Sequence, residues 1–258
     1  QGAEDNHVHL NLVSTGTFQN AQEEHTIVKR ELDGEADGVI VEPYSSEADV
    51  ILPTESAKPV VLVGTGIETD RLFTSVMTDH GKLGKSLADA VIQGKAVKVG
   101  ILSGNQSQLG MRQRLKSVKD KLEEAGIEIS WILSEKELDK KMRNVEYFAE
   151  QPVDTVISLD NDDTEKAVDI ILNDDRISWK LYGDGRSEKL IYYLDKGTIQ
   201  ELAVPNEYYM GYQSIVLAAQ NIRYYTDKTE QAEVEFYMVS KDNLYDEETS
   251  RILFPAVR

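Results

Sequence analysis

The 258-residue chain contains no cysteine, which removes disulfides, thiol catalysis and Cys-based zinc sites at once. Positive charge is also scarce. Lys and Arg number 28 against 46 Asp and Glu, a net charge of −18. Phosphate recognition relies on clustered cations, so this balance argues against nucleic acid as a partner. The densest basic stretch, Arg112 to Lys121, alternates with apolar residues at helical spacing and reads as a solvated helix face. No apolar run approaches the roughly 20 residues needed to span a bilayer, and no signal-peptide pattern is visible. Nucleophile elbows (G-x-S-x-G) and Walker loops are missing, and VGTGIETD (63–70) has two glycines without the dinucleotide fingerprint. His7 and His9 alternate as on one face of a strand, but no acidic partner at suitable spacing completes a metal site. Neither an enzyme nor a resident cofactor or metal is expected.

What is present is a soluble globular composition, 40% hydrophobic and 29% charged. Six short apolar segments each stop at a polar or glycine-bearing tip: GVIVEP (38–43), PVVLVGTG (59–66), SVMTDH (75–80), KVGILSGN (98–105), DTVISLDND (154–162) and WKLYGDG (179–185). Val/Ile/Leu runs of this length suit strands buried on both faces, the mark of a parallel sheet covered by helices. Amphipathic stretches separate them: helices are predicted over 21–32, 47–53, from Asp79 onward, 109–125 with Gly126 as C-cap, 136–150, 164–172 and 208–225. Further strands are predicted at 8–13, 127–133 and 234–240, with a polar tail beyond. This alternation is the βαβ pattern. It restarts near residue 97, so two α/β lobes are expected, and in open α/β sheets the ligand crevice lies beyond the carboxyl ends of the strands.

The segments ADGVIVEP, KPVVLVG, SVMTDHGKLGKSLADAV, KVGILSGNQSQLGMRQRLKSV, DTVISLDNDDTEKAV, LYGDG and VPNEYYMGYQSI follow one another in an order that resembles the type I periplasmic sugar-binding proteins. That group includes ribose- and galactose-binding proteins and the effector domains of sugar-responsive repressors. The resemblance covers essentially the whole chain. It implies two Rossmann-like lobes, each a parallel sheet flanked by helices, joined by a three-segment hinge. The implied division is 1–78 plus 206–237 for the first lobe and 79–205 plus 238–258 for the second, with hinges at Thr78, Asp79, Pro205, Phe236 and Tyr237. Members of the group begin with a strand and helix, and the resemblance implies that this chain starts near the end of that helix, at Gln1-Gly2-Ala3-Glu4, short of roughly 25 to 40 residues judged from the size of one βα unit.

The implied function is extracytoplasmic capture of a small polar ligand, a sugar or polyol, for delivery to an ABC permease. The alternative output is ligand sensing through a receptor's membrane subunit, of the histidine-kinase type. A repressor effector domain would need a DNA-binding module upstream, and the acidic balance disfavours it. Either extracytoplasmic reading places the protein in the periplasm or at the cell surface, anchored to the membrane.

Candidate ligand residues stand at the strand tips and on the facing helix. The resemblance places Arg114, with Arg112 as rival, at the start of a second-lobe helix, where a guanidinium fork suits hydroxyls or a carboxylate. Asp184, in LYGDG, ends a predicted strand, where sugar-binding relatives use an Asp; a turn role before Gly185 is the alternative. Asp160 is either a ligand residue or the N-cap of the following helix, and Asn161 and Asp162 could cap as well. Glu42, Tyr44, Thr65 and Asn105 lie at further tips, Tyr44 being the best placed of the tyrosines to stack on a sugar face. Asn206 is a ligand residue or a hinge residue. Two departures exclude carrying over ribose specificity. Gly64-Thr65 stands where the ribose pattern has Asp-Arg, and Pro205 where it has Gln.

Overall fold

The computed structural model describes residues 1–13, 21–47, 58–70, 72–142, 146–224 and 229–254. It divides the chain into two compact units: 1–79 with 107–110 and 206–235, and 80–106 with 111–205 and 236–258. Asp79 and residues 107–110 therefore group with the first unit, and Phe236 and Tyr237 with the second, which differs from the sequence division at those positions.

The first unit holds a four-stranded, all-parallel sheet. Its strands are β1 (Val39–Val41), β2 (Val60–Gly64), β3 (Thr74–Met77) and β9 (Gln231–Glu233), in the order β1-β2-β3-β9. Helices α1 (Gly2–Asp5) and α2 (Ala21–Asp33) belong to it, as does α9 (Glu207–Tyr224). Period-two alternation sends Val61, Val63 and Val76 to the face that receives Met210, Leu217 and Ala218 of α9. Val60 and Leu62 turn to the other face with Val41, Ile67 and Phe73.

The second unit is built on six strands in the order β10-β8-β7-β6-β4-β5. They are β4 (Lys98–Leu102), β5 (Glu128–Leu133), β6 (Thr155–Ser158), β7 (Lys180–Asp184), β8 (Ile199–Pro205) and β10 (Phe236–Ser240). All neighbours are parallel except β10, which pairs antiparallel with β8. Its helices are α3 (His80–Gln93), α4 (Leu109–Glu124, from Met111), α5 (Glu135–Met142), α6 (Glu146–Glu150), α7 (Asn161–Asn173), α8 (Glu188–Lys196) and α10 (Glu247–Leu253). Alternation again decides which side chain meets which layer. Val99, Ile101, Ile157, Tyr182 and Ala203 pack with Leu83, Leu87, Val118 and Leu122 of α3 and α4. Leu102, Val156, Leu181, Leu202 and Val204 pack with Leu138, Phe148, Val168 and Leu190 on the opposite face, beside a group of Trp131, Phe148 and Trp179 rings.

The α/β class and the parallel sheets agree with the sequence reading, and several elements differ. Residues 8–13 lie in no sheet, and Leu10, Leu12 and Val13 are exposed: alternation supplies a strand face, but a strand forms only against a hydrogen-bonded neighbour. His7 and His9 accordingly share no strand face. The predicted helix over 136–150 is two helices, α5 and α6. The α7 helix begins at Asn161 rather than Thr164, because Asp160 caps it. The polar tail carries α10, and β8, β9 and α8 were not anticipated. Glu47 makes an isolated parallel bridge to Glu68; the rest of the predicted helix 47–53 lies outside the described residues. No helix among the described residues is long and apolar enough to cross a membrane.

Candidate functional site

The carboxyl ends of β6 and β7 bring a buried polar arrangement of the second unit together around Arg114. This residue sits in the second turn of α4, and α3 crosses α4 at that point in backbone contact. A Cβ at Gly84 would lie 2.5 Å from the Arg114 carbonyl oxygen, so only glycine allows the approach that fixes where the guanidinium starts. From there the side chain, 5% exposed, reaches three partners. Nη1 lies 3.0 Å from Asp184 Oδ1 at the end of β7 and donates at 2.6 Å to the Leu159 carbonyl just past β6. Nε donates at 3.0 Å to Nδ1 of His80, the first residue of α3. These contacts use Nε and Nη1, not Nη2. Arg112, the alternative guanidinium, donates instead to the Gln106 carbonyl at 3.2 Å.

Asp184 is held from behind. Its carbonyl accepts from Thr164 Oγ1 at 2.9 Å, and Gly183 leaves space for Thr164 because a Cβ there would come within 2.5 Å of the threonine methyl. A buried guanidinium–carboxylate pair is costly to desolvate and holds only where further hydrogen bonds satisfy both partners. Leu159 and His80 supply such bonds to the guanidinium, and Thr164 fixes the backbone of Asp184.

Asp160 is adjacent to this centre but faces another way. Its Oδ1 accepts from Asp162 N at 2.9 Å and Asp163 N at 3.2 Å, so its carboxylate caps α7. Asn161 Oδ1 accepts from Arg186 N at 3.3 Å. Asn105 is half-buried on the loop after β4. That loop is tied down by Asp163, whose Oδ2 accepts from Gly104 N at 3.2 Å and whose Oδ1 lies 3.2 Å from Lys166 Nζ. Asp163 is fully buried. Desolvation, followed by the Asp160 charge, pushes its carboxyl up to about 6 against the opposing pull of Lys166.

The first unit places its candidates differently. Thr65 is buried, and its Oγ1 accepts from Gly110 N at 2.9 Å, so the hydroxyl is used to hold the start of α4. Glu42 is exposed beyond β1, with Oε1 3.0 Å from where a Cβ on Gly64 would stand; Gly64 itself has φ +75°. Tyr44 is half-buried and its N–H donates at 2.9 Å to Oε1 of Glu24, a buried carboxyl of α2. Burial raises Glu24 to about 6, the Tyr44 and Ser45 N–H groups oppose the shift, and Glu42 adds to it. Asn206 Oδ1 accepts from Tyr209 N at 3.1 Å and its own N–H donates to the Glu235 carbonyl, so it starts α9. Among the proposed hinge residues, Thr78 and Pro205 are buried, Asp79 is exposed, and Phe236 and Tyr237 are half-buried.

Of the expected ligand residues, the structure thus gathers Arg114 and Asp184 into direct contact, holds Asp160 and Asn105 in the same unit, and places Glu42, Tyr44, Thr65 and Asn206 in the other. Three polar groups stand outside the expected ligand residues; from sequence His80, beside Asp79, reads as a hinge residue. His80 carried a signal: it stands four residues before Gly84 on one helix face, and a glycine there marks a close neighbour. Asp163 and Glu24 carried none, since each sits among other acids of identical chemistry.

A family model described as the periplasmic binding protein domain matches residues 1–225. Comparison with curated protein sequences gives no match. Among solved structures, the chain is similar to a carbohydrate transporter solute-binding protein from Agrobacterium radiobacter in complex with D-arabinose. The TM-score is 0.87 at 15% identity, covering 98% of this chain and 90% of the other. A glucose-galactose binding protein from Geobacillus stearothermophilus superposes with a TM-score of 0.82 at 21% identity, covering 95% and 90%. The Caulobacter myo-inositol binding protein, bound to myo-inositol, gives 0.78 at 19% identity, covering 90% and 83%.

Proposed function

Because the chain belongs to the periplasmic binding protein family, we propose that it captures a small polyhydroxylated solute, a sugar or cyclic polyol, outside the cytoplasm and delivers it to an ABC-type membrane permease. The family is one of solute-binding proteins, and the chain is a binding protein rather than an enzyme. The observation that carries the solute class is the Arg114–Asp184 pair at the strand ends of the second unit. A carboxylate accepts from two hydroxyls and a guanidinium donates to hydroxyl or ring oxygens, which is the complementary chemistry of a carbohydrate. The sugar- and inositol-bound proteins of the same fold support this reading.

Asn105, Glu42, Tyr44 and Asn206 are further ligand candidates. Thr65 is assigned to holding Gly110, and Asp160 to capping α7. Hinge roles are assigned to Thr78, Asp79, Pro205, Phe236 and Tyr237, near the points where the chain leaves one unit for the other. Membrane anchoring of the mature protein completes the proposal.

The test is calorimetric titration with D-arabinose, D-galactose, D-glucose and myo-inositol. Saturable one-site binding of at least one of them, abolished by Asp184→Ala, is expected. Silence with all four, together with binding of an amino acid or peptide, would overturn the solute class.

A further inference from the structure

We propose that His80 is a positioning residue for solute capture: its neutral imidazole, with the proton on Nε2, holds the Arg114 guanidinium in the orientation that pairs with Asp184. The inference rests on the solute-binding reading above and adds to it a requirement on one proton.

A guanidinium has five N–H donors, no acceptor, and stays charged throughout the accessible pH range. The 3.0 Å contact between Arg114 Nε and His80 Nδ1 therefore requires a lone pair on Nδ1. In a neutral ring that places the proton on Nε2; in the imidazolium both nitrogens carry protons and the contact becomes donor against donor. The imidazole is buried, 6% exposed, so water cannot readily replace a lost partner.

Geometry gives His80 this role rather than a general packing one. Nε and Nη1 share the planar guanidinium, so fixing Nε fixes the direction in which Nη1 meets Asp184 Oδ1 and the Leu159 carbonyl. The contact also links two helices already in backbone contact at Gly84, where a Cβ would collide with Arg114. His80 and Gly84 thus set the same guanidinium from its side chain and its backbone respectively.

Arg114 faces His80 from α4, Asp184 stands behind the guanidinium on β7, and Asp79 precedes His80 in the chain. From β6 comes the Leu159 carbonyl, with Asp160 turned to α7, and β8 ends in Leu202 to Pro205, without a titratable side chain. Protonating His80 would therefore place a second cation against Arg114.

The test uses the intact protein, His80→Leu, which removes the acceptor, and His80→Asn, whose amide oxygen can replace it. Long-range proton–nitrogen NMR of wild type should show Nδ1 as the unprotonated nitrogen at neutral pH. An Arg114 Nε–H resonance protected from exchange should be lost in the Leu variant and retained in the Asn variant. In D-arabinose titrations the Leu variant should bind about tenfold or more weakly, with the Asn variant within about threefold of wild type. Between about pH 7.5 and about pH 5.5 the wild type should lose affinity more steeply than His80→Asn. A protonated Nδ1 at neutral pH, wild-type affinity in the Leu variant, or identical pH profiles would each overturn the proposal. If wild type takes up no D-arabinose or other sugar, the solute class fails instead. The two NMR readouts then decide the His80–Arg114 contact without any ligand.

Discussion

Replacing Arg114 with methionine separates a structural ion pair from a solvent-facing ligand contact. Read from sequence, either Arg114→Ala or Asp184→Ala should weaken binding and barely change the stability of the solute-free protein. The structure predicts otherwise for the arginine, because its removal leaves Asp184, whose side chain is 11% exposed, without the guanidinium 3.0 Å away. Breaking a buried pair from one side costs roughly 3–5 kcal/mol. The residual exposure of Asp184 lets water offset part of that, so the expected loss is at the lower end, about 3 kcal/mol. For a folding unit of this size each kcal/mol lowers Tm by about 2–4 °C, which makes the expected fall roughly 6–12 °C.

The assay follows from composition. The chain has two tryptophans, Trp131 and Trp179, and both lie in the core of the second unit, so indole fluorescence during urea unfolding reports that unit. Adding Asp184→Asn to Arg114→Met removes the carboxylate charge that faced the guanidinium and should recover about 1 kcal/mol or more, a coupling that a double-mutant cycle measures directly. A loss below about 1 kcal/mol in the single variant, or strict additivity of the two changes, would refute the claim that the pair is a buried unit.

Gly84→Ala should force α3 and α4 apart where a Cβ meets the Arg114 carbonyl oxygen at 2.5 Å, lowering stability by about 1–3 kcal/mol and weakening solute binding, both read by urea titration with and without ligand. Asp160→Ala should cost about 1 kcal/mol through the lost α7 cap, while Asp160→Asn keeps both stability and binding. A selective loss of affinity in the Asn variant would return Asp160 to the ligand list.

The alternation of buried runs and amphipathic stretches made the second unit's sheet readable, since β4, β6 and β7 are nearly continuous apolar segments ending at polar tips. The strand β8 escaped because Gln200 and Glu201 interrupt it, and only its carboxyl half is fully buried. Its neighbour α8 was signalled after all by Ser187, which caps Leu190 N, and by Gly197 in the left-handed region with φ +81°. Residues 8–13 failed in the opposite sense: the local pattern was right for a strand, but pairing is a tertiary fact that no local pattern contains. The site shows the same division. Arg114 and Asp184 were visible because each stands at a tip or beside one, whereas the partners that orient them, His80 and the Leu159 carbonyl, depend on how α3 and β6 converge.

Asp163 gives the pH dependence a sign that can be worked out. Its carboxyl is raised from an ordinary 3.8 to about 6, so between those values the folded state holds a proton that the unfolded state does not. Unfolding free energy therefore rises as pH falls through 6 and levels off near the unfolded value, the reverse of ordinary acid destabilisation. From about pH 7.5 to about pH 5 this single group should add about 1 kcal/mol to the stability of the second unit. Glu24, also raised to about 6, acts in the same direction in the first unit, outside the reach of tryptophan fluorescence. Asp163→Asn keeps an acceptor for Gly104 N and removes the titration. Its fluorescence-monitored stability should therefore lack the gain that wild type shows over this window. Wild-type stability that falls steadily from pH 7.5 to 5, unchanged in slope by Asp163→Asn, would mean that the buried carboxylate is ionised at little cost and that Lys166, 3.2 Å away, neutralises it fully.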